Sequence, residues 1–251
     1  MVSSVPVGLS KLTLINAVAS ILTYLHLGDG HRPCQCPNVQ ILKRDTSHET
    51  VLFARRLLAL PHIALKEAGL PFDLVRVDLK AKKLEDGSDY TAVNPKGQVP
   101  ALGLTNGDLL TEGAVIVQMI ADSAPQKNLA PAAGSSERYK LQEWLNFIAS
   151  ELHKNFSPLF QPVLSDDTKA FFKDRLMGKF KYIDQALKGR DYVMGSQFTV
   201  PDAYLFTMLA WADRVGLDIS GLSNLTAYKA RVAARPKVQE ALTAEGLLKA
   251  S

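Results

Sequence analysis

Three polar residues recur at helical spacing and form the first candidate for chemistry. Asn146, Ser150 and His153 lie at positions i, i+4 and i+7, so they fall within one narrow stripe of a helix. Histidine is the side chain that most often exchanges protons or hydrogen bonds near neutral pH. The same stripe also fits a solvated helix face, opposite the apolar residues Leu141, Trp144, Leu145, Ile148 and Leu152.

Glu112 and Gly113 form a second candidate, because they stand where the pattern predicts that a helix begins. Free backbone N–H groups and the helix dipole favour an anion at such an end, and the Glu112 carboxylate could pair with a cation. The alternative is a plain helix-start carboxylate without a ligand.

Strands and helices alternate in the elements that would position these residues. A helix is predicted to end at Gly69 and a strand to cover 71–79. A further strand at 99–104 and a returning strand at 108–111 flank the Asn106-Gly107 dipeptide, a strong hairpin signal. With a helix from Glu112 to Ala121, this order is that of the second half of a thioredoxin-like α/β domain.

After a small, Pro-containing linker at 130–136, the apolar periodicity is helical. Thr199 and Asp202 have the spacing of a capping box at the start of one helix. That helix is apolar on nearly every face, so its Tyr204 and Trp211 are interpreted as core residues without a functional role. The last helix is predicted over 225–235 and to stop at Pro236, which makes the second domain all-α.

Composition excludes several classes of protein. The chain has 251 residues, 47% of them apolar and 22% charged, as in a soluble globular protein. Residues 1–60 carry six Lys/Arg against three Asp/Glu and so supply +3 of the net charge of +4. No basic run with interleaved aromatic residues occurs, so no nucleic-acid partner is expected. The apolar stretch 12–27 is interrupted by polar residues and too short to span a bilayer, so no membrane partner is expected.

The cysteines point to a reducing compartment. Cys34 and Cys36 are the only two in the chain, and a pair so close together cannot staple a fold. Zinc prefers four ligands, so no metal site is expected. The sequence therefore predicts a cytoplasmic protein without a metal.

Several spaced motifs together resemble one family. The segments Asn94–Leu102 (NPKGQVPAL) and Leu110–Ile116 (LTEGAVI) resemble the glutathione-binding half of glutathione transferases, and Trp144–Lys154 (WLNFIASELHK) resembles their bacterial beta class. The likeness extends from about Pro61 to the C-terminus.

The resemblance implies a thioredoxin-like α/β domain at about 48–127 and an all-α domain at about 134–251. It implies a cytoplasmic, homodimeric detoxification enzyme that transfers the glutathione thiolate to an electrophile. Glutathione would be a co-substrate, and no cofactor is expected. A glutathione-dependent isomerase or dehalogenase, and a non-catalytic ligand carrier or regulatory protein, remain as alternatives on the same scaffold.

The resemblance also assigns residues to parts of glutathione. Val99, before a cis Pro100, would pair its main chain with the cysteinyl residue; from the residues alone, an ordinary trans proline is the simpler expectation. The N–H groups at Gly113 would bind the γ-glutamyl carboxylate, and Glu112 the ammonium. Many family members have Ser in place of Gly113, so a hydroxyl contact would be missing.

Two further assignments concern the other parts of the tripeptide. Lys82, otherwise a surface lysine, would meet the glycyl carboxylate. Asn146, Ser150 and His153 would face the tripeptide and its sulfur, with His153 as a supporting catalytic residue.

Residues 1–60 depart from the family. A strand and a turn of the type Tyr-Ser-Pro-Gly-Ala-Cys-Ser are expected, but the chain reads TVLFARRLLAL at Thr50–Leu60. Leu52 stands in place of the Tyr and Leu57 in place of the Cys, which contacts the glutathione sulfur in the family. Without Gly or Pro, the segment is predicted to join the helix that ends near Gly69, with the first strand absent or poorly made.

A shift of reading frame explains this departure. Codons can be chosen for residues 48–58 that, read one base later, encode Met-Lys-Leu-Ser-Tyr-Ser-Pro-Gly-Ala-Cys-Ser, the expected start of the family. We hypothesise that residues 1–47 are translated upstream DNA, irregular in structure, and that 48–60 are out of frame. The chain as written is then expected to be impaired.

Overall fold

The computed structural model of the protein describes residues 50–54 and 59–247. Cys34, Cys36 and the predicted irregular segment 1–47 therefore lie outside the described residues, as does Leu57. No helix within the described ranges is both long and apolar enough to cross a membrane.

A five-stranded sheet forms the first part of the fold, with strand order β3-β2-β1-β4-β5. β1 and β2 are parallel, and the other neighbouring pairs are antiparallel. The hairpin between β4 and β5 turns at Asn106-Gly107, as predicted, with the Gly107 N–H donating to the Leu104 carbonyl. The strands are β1 Val51–Ala54, β2 Asp73–Asp78, β3 Lys83–Leu84, β4 Ala101–Gly103 and β5 Leu109–Thr111.

Strand β1 contradicts the prediction that this segment joins the following helix. Leu52 lies opposite Leu74 of β2 and Leu102 of β4 and is fully buried. Hydrogen bonding on both edges and burial of apolar side chains outweigh the local preference of Leu, Ala and Arg for helix. The first strand is therefore present and central.

Helices α1 Leu60–Ala68 and α2 Gly113–Asp122 share one hydrophobic core with residues of β1 and β4. α1 has Pro61 in its first turn and ends at Gly69, whose φ of +69° suits glycine. The predicted end of α1 and the predicted helix after Glu112 are thus confirmed.

The second part of the fold is helical. α3 continues through a π-helical segment, Ile148–His153, and a short turn, Lys154–Phe156. Pro236 starts α7 rather than only ending α6, because proline fits the first turn of a helix. The helices are α3 Ser136–Phe147, α4 Asp166–Ala186, α5 Val200–Arg214, α6 Ser223–Ala233 and α7 Pro236–Ala244.

The start of α5 has the predicted capping box. The Asp202 carboxylate accepts hydrogen bonds from the Thr199 backbone N–H and hydroxyl at 2.8 and 3.0 Å, from the Val193 N–H at 2.8 Å and from the Tyr228 hydroxyl at 3.0 Å. Asp202 is fully buried, and this burial raises its pKa to about 6. The cap therefore also connects α5 to α6 and to the preceding loop.

Polar contacts join α1 to the last helices. The Arg235 guanidinium forms a two-pronged ion pair with Glu67 at 2.6 and 2.8 Å. His62 Nδ1 lies 3.0 Å from Glu245 Oε1, and both side chains are buried. These contacts fix the helical part against α1, whose first residue, Leu60, lines the cavity described next.

Candidate active site

A cavity of about 320 Å³ lies between the sheet and the helical part of the fold. Its walls come from the first residue of α1, the turn between β2 and β3, the loop before β4, the start of α2, the π-helical segment with the residues after it, and α5. Six of the residues predicted from sequence line it, namely Lys82, Val99, Pro100, Glu112, Gly113 and His153.

The Val99–Pro100 peptide bond is cis. The buried side chains of Tyr90 and Asn94 fix the preceding loop, because each donates a hydrogen bond of 2.7 Å to the Gln98 carbonyl. Among the described residues, the backbone N–H and C=O of Val99 have no hydrogen-bond partner. They are therefore available to a ligand strand.

Lys82 lies in the turn between β2 and β3, next to this loop, and has a left-handed backbone, with φ of +56°. Its Nζ donates to the Gly97 carbonyl at 2.6 Å. An ammonium has three donor hydrogens, so this bond leaves two for a ligand carboxylate.

Glu112 precedes α2 with a φ of +70°, unusual for a residue with a side chain. Its carbonyl accepts the N–H groups of Val115 and Ile116, while its carboxylate does not cap the helix. Lys96 Nζ instead donates to Glu112 Oε1 at 2.8 Å. This hydrogen bond lowers the pKa of Glu112, so the carboxylate is charged across the neutral range.

Gly113 has little room for a side chain. A Cβ atom there would lie 3.0 Å from Leu60 Cδ2 and 3.6 Å from Pro100 Cγ. A side chain at position 113 would thus require Leu60 to move, which explains why glycine fits at this helix start in the present chain.

His153 comes from the last residue of the π-helical segment and faces α5. Its Nδ1 lies 2.7 Å from the Tyr204 hydroxyl, and its ring packs edge-on against Trp211 with centroids 4.8 Å apart. Burial, and secondarily the positive charge of Lys154, lower the pKa of His153 to about 4. The imidazole is therefore neutral at physiological pH.

Asn146 and Ser150 are placed differently from His153. Both are exposed, and neither is among the described residues that line the cavity; the Ser150 hydroxyl donates to the Asn146 carbonyl at 2.9 Å. An α-helical count predicts one stripe for all three, but the wider π-helical turn changes the direction of the residues after it. The stripe is therefore divided between the cavity and the surface.

Tyr204, Lys96 and Lys154 also line the cavity, and the sequence analysis assigns none of them a role there. Tyr204 is buried, and burial raises the pKa of its hydroxyl, which stays protonated. A tyrosine in an otherwise apolar buried helix needs a hydrogen-bond partner for its hydroxyl, and this requirement was the available signal. Together with Lys82, the two lysines make the cavity positively charged overall against the single carboxylate of Glu112.

Comparison with known proteins gives the family. Residues 53–123 match the family model for the N-terminal domain of glutathione S-transferases, and residues 147–236 match the model for their C-terminal domain. Glutathione S-transferase GstA of Escherichia coli O157:H7 is 52% identical over 186 residues, which are 74% of this chain and 92% of that protein.

Solved structures agree with this relationship. BphK, a bacterial glutathione S-transferase in a ternary complex, has a TM-score of 0.77 at 50% identity, over 78% of this chain and all of that one. A beta-class enzyme of Sphingomonas chungbukensis has a TM-score of 0.77 at 46% identity, over 79% of this chain and all of its own. A sphingomonad enzyme complexed with glutathione has a TM-score of 0.76 at 45% identity with the same coverage. The chain therefore belongs to the glutathione S-transferase family of enzymes, with the thioredoxin-like and helical domains of that family.

Proposed function

We propose that the protein binds glutathione in this cavity and transfers its thiolate to a small electrophile. The observation that carries the proposal is the convergence on one cavity of a Val99 backbone without a hydrogen-bond partner among the described residues, a charged Glu112 at a helix start and a neutral His153. The sphingomonad relative, which has glutathione bound, supports the choice of ligand.

The peptide part of glutathione would lie along Val99. Its N–H and C=O can pair with the cysteinyl residue as an added strand would, because an extended peptide binds through the main chain at a free edge. This arrangement uses groups that have no other partner among the described residues.

The two ends of glutathione would meet opposite charges. At the γ-glutamyl end, the free N–H groups of α2 suit the carboxylate, and Glu112 suits the ammonium. At the glycyl end, Lys82 suits the carboxylate, since its Nζ keeps two donor hydrogens beyond the bond to Gly97.

His153 would act on the sulfur as a neutral hydrogen-bond donor. Because the Tyr204 hydroxyl stays protonated, it can donate to Nδ1 of His153, and the imidazole proton would then lie on Nε2. A hydrogen bond from Nε2–H to sulfur stabilises the thiolate and lowers the pKa of the thiol. The thiol proton leaves to solvent, and the thiolate then attacks the electrophile; with a chloronitrobenzene, a carbon–sulfur bond forms, the carbon–chlorine bond breaks and chloride leaves to solvent.

We propose that the activity of the chain is reduced, because residues 48–60 depart from the sequence expected for the family. No cysteine is among the described residues that line the cavity, and Leu52, which replaces the expected Tyr, is buried in the core between β2 and β4. Among the described residues, stabilisation of the thiolate is then proposed to depend mainly on His153.

We also propose that the protein is a cytoplasmic homodimer that serves detoxification. The dimer is inferred from the family, and exposed apolar residues on both parts of the fold, Val115 of α2 and Tyr139 of α3, would contribute surface to it. Light scattering that gives the mass of a single chain would contradict the dimer.

Calorimetric titration and turnover separate the candidate functions. An enzyme should bind glutathione and conjugate it to a chloronitrobenzene, whereas a carrier would bind without turnover. Glu112→Gln should weaken binding of glutathione, while Glu143→Gln should not, although both carboxylates are about two-thirds exposed and paired with lysine at 2.8 Å. Equal binding by the two variants would contradict the proposed ammonium site.

A further inference from the structure

Lys96 connects the two loops that flank the cavity. It belongs to the loop before the cis Pro100, and its Nζ donates to Thr111 Oγ1 at 2.9 Å and to Glu112 Oε1 at 2.8 Å. These two residues end β5 and precede α2. A single ammonium therefore ties the segment before β4 to the start of the helix.

Glu112 needs such a connection to keep its carboxylate in place. Its positive φ is a conformation that a residue with a Cβ adopts only when its surroundings hold it there. Its main-chain carbonyl is held by the first N–H groups of α2, but its side chain is 65% exposed. Among the described residues, only Lys96 donates a hydrogen bond to the carboxylate, so without Lys96 it is free to turn into solvent.

We propose that Lys96 is a positioning residue, which directs the Glu112 carboxylate toward the cavity so that it can receive the ammonium group of the substrate. The inference rests on the proposed function, because the ammonium belongs to the γ-glutamyl end of glutathione. Lys96 occupies Oε1, and Oε2 remains open to a second donor, since a carboxylate accepts several hydrogen bonds.

Lys96 could also compete with the substrate ammonium for the Glu112 carboxylate. We expect this competition to be weaker than the positioning effect, because the pair is exposed to solvent. The pair is exposed, with 53% and 65% of the two side chains accessible, and charges in this environment are largely screened by water. The Lys96 ammonium is also shared with the Thr111 hydroxyl. Its main effect is therefore on the direction of the carboxylate.

The test compares two ligands by calorimetric titration of the full chain. One ligand is glutathione, and the other is the glutathione analogue that lacks the α-amino group. Lys96→Met should raise the dissociation constant of glutathione about three- to fivefold, as expected for the loss of an exposed ion pair, and should leave that of the analogue unchanged. Lys140→Met is the matched control, because Lys140 forms an equally short, exposed pair with Glu143, and neither residue is among those that line the cavity.

The outcomes separate this inference from the proposed function. An unchanged or lower dissociation constant for glutathione in Lys96→Met, or an equal rise for both ligands, would overturn the positioning role. If Glu112→Gln still weakens glutathione binding, the proposed function stands in those cases. If the unaltered chain binds no glutathione, or Glu112→Gln has no effect, both the ammonium site and the role of Lys96 are wrong.

Discussion

Strand β1 and the start of α5 acquire their structures in opposite ways. In the Thr199–Asp202 segment, local residues determine where the helix starts, namely a capping box and a proline in the first turn. Residues Val51–Ala54 contain Leu, Phe and Ala without any turn signal, yet they form the central strand between β2 and β4. A segment buried between two partner strands thus takes its conformation from them, whereas this helix end depends on its own residues.

The cap of α5 should give the largest effect. Asp202→Ala would leave the N–H groups of Val193 and Thr199 without their buried acceptor, so we expect a loss of about 4 kcal/mol in the free energy of unfolding. Urea unfolding measures it. Asp218→Ala removes an exposed carboxylate that also accepts a backbone N–H and should cost far less. Similar losses in the two variants would mean that burial of the Asp202 carboxylate does not increase its contribution to stability.

The core of β1 should give the next largest effect. Leu52 is fully buried between Leu74 and Leu102, and Leu52→Ala should lower the free energy of unfolding by about 3 kcal/mol. Val163→Ala, at a position that is 86% exposed, should change it little. A loss at Leu52 as small as that at Val163 would show that β1 is not held in the sheet.

The neutral His153 predicts a dependence of stability on pH. Its pKa falls from 6.5 in the unfolded chain to about 4 in the folded one, so below pH 6.5 the unfolded state binds a proton that the folded state does not. As the pH falls from 6.5 to 4, His153 should therefore lower the free energy of unfolding by about 2 kcal/mol, whereas the buried Asp202, whose pKa is raised to about 6, acts in the opposite direction in the same range.

Urea unfolding across this pH range, compared between the unaltered chain and His153→Asn, isolates that contribution. The variant should lose less stability on acidification. Parallel pH curves for the two proteins would indicate that His153 is charged or freely hydrated in the folded state.

Restoring the family sequence at residues 48–58 should have a smaller effect than the substitutions above, and the effect should be on turnover. If residues 48–58 are replaced by Met-Lys-Leu-Ser-Tyr-Ser-Pro-Gly-Ala-Cys-Ser, turnover should rise by about tenfold, the effect of one additional hydrogen bond to the thiolate. Equal turnover before and after the replacement would remove the proposed impairment. The reading-frame hypothesis has its own test, because a gene whose codons cannot yield this sequence one base later would end it.

Much of the fold and part of the site could be predicted from the sequence, for reasons visible in particular residues. Gly69, the Asn106-Gly107 turn and the Thr199–Asp202 cap are local signals with few alternatives, and all three are confirmed. β1 could not be predicted, because its partners lie far away in the chain. Pro236 was assigned to a helix end alone, although proline equally favours a helix start.

The site likewise has features that the sequence predicts and features that depend on contacts between distant residues. Lys82, Glu112 and His153, which the family resemblance assigns to glutathione, line the cavity, whereas the bond between Tyr204 and His153 joins residues 51 positions apart. The Lys96 bridge to Glu112 likewise depends on how two loops meet. The division of the Asn146/Ser150/His153 stripe results from a π-helical turn that an α-helical count does not contain.

The pKa of the glutathione thiol, when the tripeptide is bound to this protein, tests most directly whether His153 donates a hydrogen bond to the sulfur. It is measured from the ultraviolet absorbance of the thiolate during a pH titration of the complex. A neutral His153 that donates to the sulfur predicts a pKa below the free value of about 8.5, and a return toward that value in His153→Asn and in Tyr204→Phe. A bound thiol that titrates like free glutathione, or one that both substitutions leave unchanged, would contradict the account.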